Sequence, residues 1–486
     1  MTDFVYRFRS IDKLLAGRHE LENQEIYFSP PEDLNDPMEG FKDILWLGDQ
    51  IVWANLLKHY LLCLMQSVLV AYLCGPSREF TDSDSYVFQT EESLPTPEAR
   101  DIYNDLCKSF FQHKDIARFL ELLSARESPV RRNELISYLR CLHIHALNTV
   151  LTTIVDHGLI APRPTSDSVR AESRGPLLCR NLLEGLQALE REHPEGPEII
   201  EIMTAAAKSI LMQVDIIHDY SGISLKAGAA WQTIISAFPE RHVAQLEKLL
   251  YGDWYTACFV GDPTHAAMWG NYGNGHRGVC LKFKTPPDAL GKPSIKLKMI
   301  IGGQADTSGS SPIYGDVNLQ FYKIEYQSKF AKIEFFRSLG RLPMRELKYW
   351  YMDAEGNISR CGKDILTENN AWREKYWNDF ITLMTTKLPD WAHENEYRLT
   401  LHGLITDFAE PSSRTLKYRF EDLQGIIFGI KTSTEDKLNV LRIIESKCHK
   451  EGRADFELHQ AYYSPRTGKI ETTKLDMLKF VEIPST

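Results

Sequence analysis

Residues 391–401 read WAHENEYRLTL. From Glu394 onward, polar and apolar residues alternate. In an extended chain Glu394, Glu396, Arg398 and Thr400 share one side, and Tyr397, Leu399 and Leu401 share the other. The apolar side needs a core, so this is expected to be a strand of a sheet. The other side carries two acids two residues apart, which repel unless a cation or a substrate lies between them. Arg398 is one such cation. The plain alternative is a charged outer face in which Arg398 neutralises one acid.

Other segments supply partners for this strand. VYRFRS, 5–10, alternates Tyr6 and Phe8 against Arg7 and Arg9, as a half-buried strand does. EIYFS, 25–29, DWYTACFV, 253–260, and GVCLKFK, 278–284, are also strand-like, as are LQFYKIEYQ, 319–327, and the short apolar GIIFGI, 425–430. Ser433 or Thr434 caps a helix over 435–448, and ADFELHQAYY, 454–463, returns to strand. Between these ends the period changes. IVWANLLKHYLLCLMQSVLVAYL, 51–73, DIARFLELLSARE, 115–127, and NELISYLRCLHIHALNTVLTTIV, 133–155, repeat at helical spacing. The expected architecture is α/β (α+β), with a mixed-sheet core over 1–45 and 251–486 and a large, mostly helical insertion over 46–250. A loop is expected at 161–176, where Pro, Ser and Arg accumulate.

The chain has 486 residues, 43% hydrophobic and 25% charged, which suits two or three folded cores. The formal net charge of −10 weighs against a nucleic-acid target, although a local basic groove remains open. The nine cysteines are odd in number and contain no CxxC, which argues against a disulfide framework and a zinc knuckle and for thiols in a reducing cytoplasm. The most apolar run, 61–73, is short for a bilayer and is expected to be a buried helix. No membrane association is expected.

Three further stretches carry chemistry. Two arginines on one strand face, Arg7 and Arg9, can grip a phosphate or carboxylate, or simply face solvent. LNDPMEG, 34–40, forms Asx-type turns, and Asp36 and Glu39 are also suited to a metal or a ribose hydroxyl. In DPTHAAMWGNYGNGHRGVCLKFK, 262–284, Asp262 and Pro263 open a helix with Met268, Trp269 and Tyr272 on one stripe. Glycines then bracket His276 and Arg277 before a strand. Because those glycines precede the strand, the segment is not a dinucleotide-binding fingerprint.

Together these stretches resemble DUF2971, a bacterial family of unknown function. The shared motifs here are Tyr6 to Ser10, Ile26 to Gly40, Cys258-Phe259, Trp269 to Phe283 and Trp391 to Arg398. That family implies no reaction. A looser likeness is to ADP-ribosyltransferase folds, which pair an early Arg or His strand with a late Glu, sometimes in E-x-E; the S-T-S triplet of those enzymes is missing here. That likeness implies NAD as co-substrate, with Arg7 or Arg9 on its diphosphate or ribose and Tyr27 and Ser29 lining the nicotinamide pocket. Glu396 becomes the catalytic glutamate and Glu394 its substrate-side partner. Trp269 and Tyr272 are candidates to stack on the nicotinamide ring, and Asn35, Asp36, His276 and Arg398 complete the expected cofactor-binding set. It implies no metal, an unknown protein, nucleic-acid or small-molecule target, and use as a toxin or in phage defence.

Two rivals stand beside this reading. One is a phosphodiesterase in which Asp36, Glu39, Glu394 and Glu396 hold Mg²⁺, with Lys387 or Arg398 on the phosphate. The other is a recognition module without catalysis. In any of these the helical block is free to bind a protein partner or to self-associate.

Overall fold

A computed structural model describes residues 3–75, 79–81, 84, 86–161, 174–222, 228–306, 309–367, 369–403 and 408–480. The stretch 162–173, most of the loop expected at 161–176, lies outside the described residues. The chain forms two compact units, one from 1–41, 253–330 and 381–486, the other from 42–252 and 331–380.

The first unit is built on an eight-stranded sheet. Its strands are β1 (Phe4–Arg9), β2 (Trp254–Val260), β3 (Val279–Lys284), β4 (Tyr322–Lys323), β5 (Glu396–His402), β6 (Leu423–Phe428), β7 (Glu457–Ser464) and β8 (Lys469–Lys474). The spatial order is β8-β7-β6-β3-β1-β2-β5-β4. Neighbours are antiparallel except β6 and β7. Parallel strands need a crossover, and the helix Thr434–Glu451 supplies it, capped by Ser433, whose Oγ accepts from the Asp436 N–H. The sheet is therefore mixed and draws on both ends of the chain.

Tyr397, Leu399 and Leu401 of β5 join Val5, Phe259 and Phe283 in a common core. The opposite side of β5 is also covered, and every residue from Glu396 to Leu401 is buried. A second, four-stranded sheet orders Glu25–Tyr27, Thr415–Tyr418, Ser294–Asp306 and Gly309–Gln320. The long hairpin of the last two strands was not expected. The alternation of Ile295, Leu297 and Met299 is brief, and the glycines and polar residues that follow obscure it.

β1 and β2 touch at one register position, Tyr6 opposite Val260. Continuing that register would place Phe8 opposite Cys258, but the strands part. Further along the same edge Ser29 takes over, exchanging 2.8 Å N–H···O bonds with Thr256 in both directions. The interval around Cys258 thus opens as a gap in the sheet.

The second unit contains the long helices Gln50–Cys74 and Arg132–Asp156 and a small sheet of Asp43–Trp46, Val130–Arg131 and Lys332–Glu334. Residues 331–380 depart from the expected division, since they join this unit rather than the core. The strand Lys332–Glu334 pairs in parallel with Asp43–Trp46, and Asn55 Nδ2 donates to the carbonyls of Trp350 at 3.1 Å and Met352 at 2.9 Å. Gln50–Cys74 is the one described helix long and apolar enough to cross a membrane, and 67% of its most apolar window is buried inside the protein. No disulfide forms among the nine cysteines.

Candidate active site

The gap between β1 and β2 is a cavity of about 220 Å³. That is smaller than the roughly 300–1,000 Å³ of pockets that engulf drug-sized ligands.

One wall carries the acids. The backbone turns at Asn395, whose φ of 43° lies in the left-handed region. Glu394 therefore precedes β5 instead of lying in it, contrary to the extended reading of 394–401. The turn still brings Glu394 and Glu396 together, because both carboxylates reach Lys387 Nζ, at 2.6 and 3.4 Å. Asn suits this conformation, since its short polar side chain tolerates φ above zero. Gly261 makes room for the turn. A Cβ there would lie 2.7 Å from Asn395 Nδ2, and the Gly261 N–H donates to the Asn395 carbonyl at 2.9 Å.

Glu396 is clamped. Arg398 donates to it through Nε at 2.7 Å and Nη2 at 3.1 Å. The same guanidinium donates to Glu39 through Nη1 at 2.5 Å and Nη2 at 2.8 Å, and to the Met384 carbonyl at 2.8 Å. All five guanidinium N–H groups are thereby occupied, which leaves none for a phosphate unless the network opens. Arg398 is fully buried. Burial alone would raise the Glu396 carboxyl, but Arg398 and Lys387 outweigh it and hold the group down at about 2. Lys387 is raised, because its two glutamates outweigh its burial, and it lies 4.5 Å from the centre of the Trp391 ring. Glu39 is pushed up by burial against the pull of Arg398.

Glu394 has a second partner. Tyr272 donates its hydroxyl to Glu394 Oε1 at 2.5 Å and accepts from Asn35 Nδ2 at 3.0 Å. Burial and this bond to Glu394 push the Tyr272 hydroxyl well up. Three carboxylates (Glu39, Glu394, Glu396) meet two cations (Lys387, Arg398), so the cluster keeps one net negative charge.

Facing it is Arg7, 5% exposed. Its Nη2 donates to the Tyr27 carbonyl at 3.0 Å and its guanidinium lies 5.2 Å from the centre of the Phe259 ring. Its Nη1 has no hydrogen-bond partner. Burial, and then the like charge of Arg9, lower Arg7 to about 9. Arg9 is engaged elsewhere: its Nε lies 2.7 Å from Glu20 Oε2, although off line for a good hydrogen bond.

Of the residues singled out from the sequence, Arg7, Arg9, Tyr27, Ser29, Asn35, Tyr272, Glu394, Glu396 and Arg398 line this one cavity. Of the residues expected in the NAD site, three do not: Asp36, Trp269 and His276. Asp36 accepts from the Met38 N–H and holds its own turn. Trp269 is fully buried, packs edge-on against Phe8 at 4.8 Å and donates Nε1–H to the Pro263 carbonyl, so its stripe is core. His276 sits at φ 68° in the glycine turn, with its backbone bonded to Trp269 and Lys431. The helix of that segment starts at Ala266 rather than Pro263.

Sequence reasoning gave no role to Cys258, whose thiol is pushed up by burial and then by the nearby Glu396 carboxylate, or to Tyr326, whose hydroxyl accepts from the Glu396 N–H at 2.9 Å. Cys258 lay within the Cys258-Phe259 motif already quoted, and that signal was available. Tyr326 had none.

The family described as Protein of unknown function (DUF2971) matches residues 268–399. The match takes in the Trp269–Phe283 and Trp391–Arg398 motifs, while Tyr6–Ser10, Ile26–Gly40 and Cys258-Phe259 lie outside it. No curated protein and no solved structure matches the chain.

Proposed function

We propose that the cavity binds the nicotinamide–ribose end of NAD, or of a closely similar nucleotide, and transfers its glycosyl group to an unidentified acceptor. The observation that carries this reading is the placement of Arg7, a buried guanidinium with an unbonded N–H and no hydrogen-bonded carboxylate, in the same cavity as the ionised Glu396. A phosphate fits the first. A ribose that acquires positive charge as nicotinamide departs fits the second.

The charge state of Glu396 supports an electrostatic role. A carboxylate held at about 2 stays anionic at any working pH. It suits stabilising an oxocarbenium-like centre and is poorly matched to proton transfer. Glu394, bridged by Tyr272 and Lys387, orients the ribose hydroxyls in this scheme. Tyr6, Phe8, Tyr27 and Phe259 offer aromatic surface in the cavity wall. The phosphodiesterase reading draws less support, because Lys387 and Arg398 already occupy the space between the carboxylates where a divalent ion would sit. A toxin or defence role and a cytoplasmic setting remain part of the proposal.

The test is NAD titration by calorimetry in EDTA, with nicotinamide release followed by chromatography. Binding that survives chelation, release lost in Glu396→Gln, and affinity lost in Arg7→Met are expected. Arg7 has no hydrogen-bonded carboxylate, so Arg7→Met leaves no buried acid unpaired; a urea midpoint measured beside the titration separates lost affinity from lost folding. Absence of NAD binding by the folded wild type overturns the proposal.

A further inference from the structure

The second unit holds a cluster that none of the chemistry above uses. His59 and Cys63 are four apart on the helix Gln50–Cys74 and so share one face. His242 comes from the helix Phe238–Leu246. One ligand atom from each lies within 4.8 Å of the others, and all three residues are buried, at 0%, 5% and 4% exposure.

We infer that His59, Cys63 and His242 form a transition-metal site, with zinc the ion of best chemical fit. Two imidazoles and one thiolate form a borderline-soft donor set of the kind zinc takes. With a Zn–S bond of about 2.3 Å and Zn–N bonds of about 2.0–2.1 Å, tetrahedral ligand atoms stand roughly 3.5 Å apart. Cys63 Sγ lies 3.9 Å from both His59 Nδ1 and His59 Nε2, so closing the site requires the imidazole and thiol to turn until Nδ1 and Sγ point at a common centre.

Two independent observations support a ligand here. His59 Nε2 donates to the Val87 carbonyl at 2.9 Å. That bond fixes the tautomer and leaves the Nδ1 lone pair for a metal, as outer partners of ligating histidines do. His242 Nε2 is buried with no hydrogen-bond partner, a state that polar groups in a core rarely keep. Ligation by the thiolate displaces the Cys63 thiol proton to solvent. A cavity of about 30 Å³ lined by Cys63, His242 and Gln245 has room for a water as fourth ligand.

Metal content of untagged, full-length protein, purified in reductant without chelator, tests the site. Stoichiometric zinc is expected in the wild type, with its loss in Cys63→Ser and in His242→Ala. These variants risk misfolding, so a second measurement uses the wild type alone. Exchange of the metal for Co²⁺ should give the near-ultraviolet thiolate-to-cobalt band and the intense visible bands of a tetrahedral ion. Substoichiometric metal in the wild type with no such cobalt spectrum overturns the inference. So does zinc retained by folded Cys63→Ser.

Discussion

Arg398 shows how far a side chain's surroundings decide its chemistry. In sequence it is a candidate phosphate ligand; in the fold its five N–H groups bind Glu396, Glu39 and the Met384 carbonyl. Arg7, the fourth residue of the first strand and also buried, keeps an N–H without a partner. The two arginines differ through tertiary neighbours alone. The clamp also sets a pH dependence. The Glu396 carboxyl falls from an ordinary 4.5 to about 2 in the fold. Its folded value is depressed, so its contribution to stability is present above about 4.5 and disappears as pH falls through 2. That contribution is on the order of 3 kcal/mol. Removing one partner of a buried ion pair costs about 3–5 kcal/mol. Glu396→Gln should therefore unfold at lower urea than wild type at pH 7, and the gap should narrow between pH 4.5 and 2. Urea titrations across that range check this, and a pH-independent gap contradicts it.

Among the elements, the turn into β5 is the most informative. The alternation of Glu396, Arg398 and Thr400 against Tyr397, Leu399 and Leu401 was legible because strand periodicity is local. The break at Asn395 was not, since one residue with φ of 43° leaves little trace in a polar stretch. The left-handed conformation costs an ordinary L-residue roughly 1–2 kcal/mol, and a β-branched residue pays more in crowding. Asn395→Val should lower stability by at least that amount, whereas Asn395→Gly should fall within a few tenths of a kcal/mol of wild type. Urea midpoints decide the matter. A second element-level lesson comes from the opening between β1 and β2. Both strands were recognisable, but the loss of pairing beyond Tyr6 and Val260 depends on Ser29 reaching Thr256 from a distant segment.

For the whole molecule, the second unit includes 331–380 as well as 42–252. A deletion designed on the simpler division, removing 46–250 alone, would strip Lys332–Glu334 of most of its strand partner's unit and expose Phe335, Phe336, Trp350 and Tyr351, all buried in the intact chain. Such a protein should aggregate, as large exposed apolar patches promote association. Removing 42–252 and 331–380 together, with short linkers, should give a less aggregated product. Size-exclusion chromatography with light scattering compares the two, and a monomeric first deletion would contradict the observed division.

Composition and periodicity were enough to establish a mixed α/β protein with strands at both ends and helices between. They also put an acidic pair on a late strand, of which only Glu396 lies in it, and arginines on an early one, because repeats of two and of 3.6 residues are written in neighbouring positions. Whether those groups meet, which of the arginines stays unsatisfied, and that His242 lies beside His59 and Cys63 were settled by folding. Contacts between residues far apart in the chain depend on register, on strand divergence and on the competition for buried hydrogen bonds, and no local pattern records them.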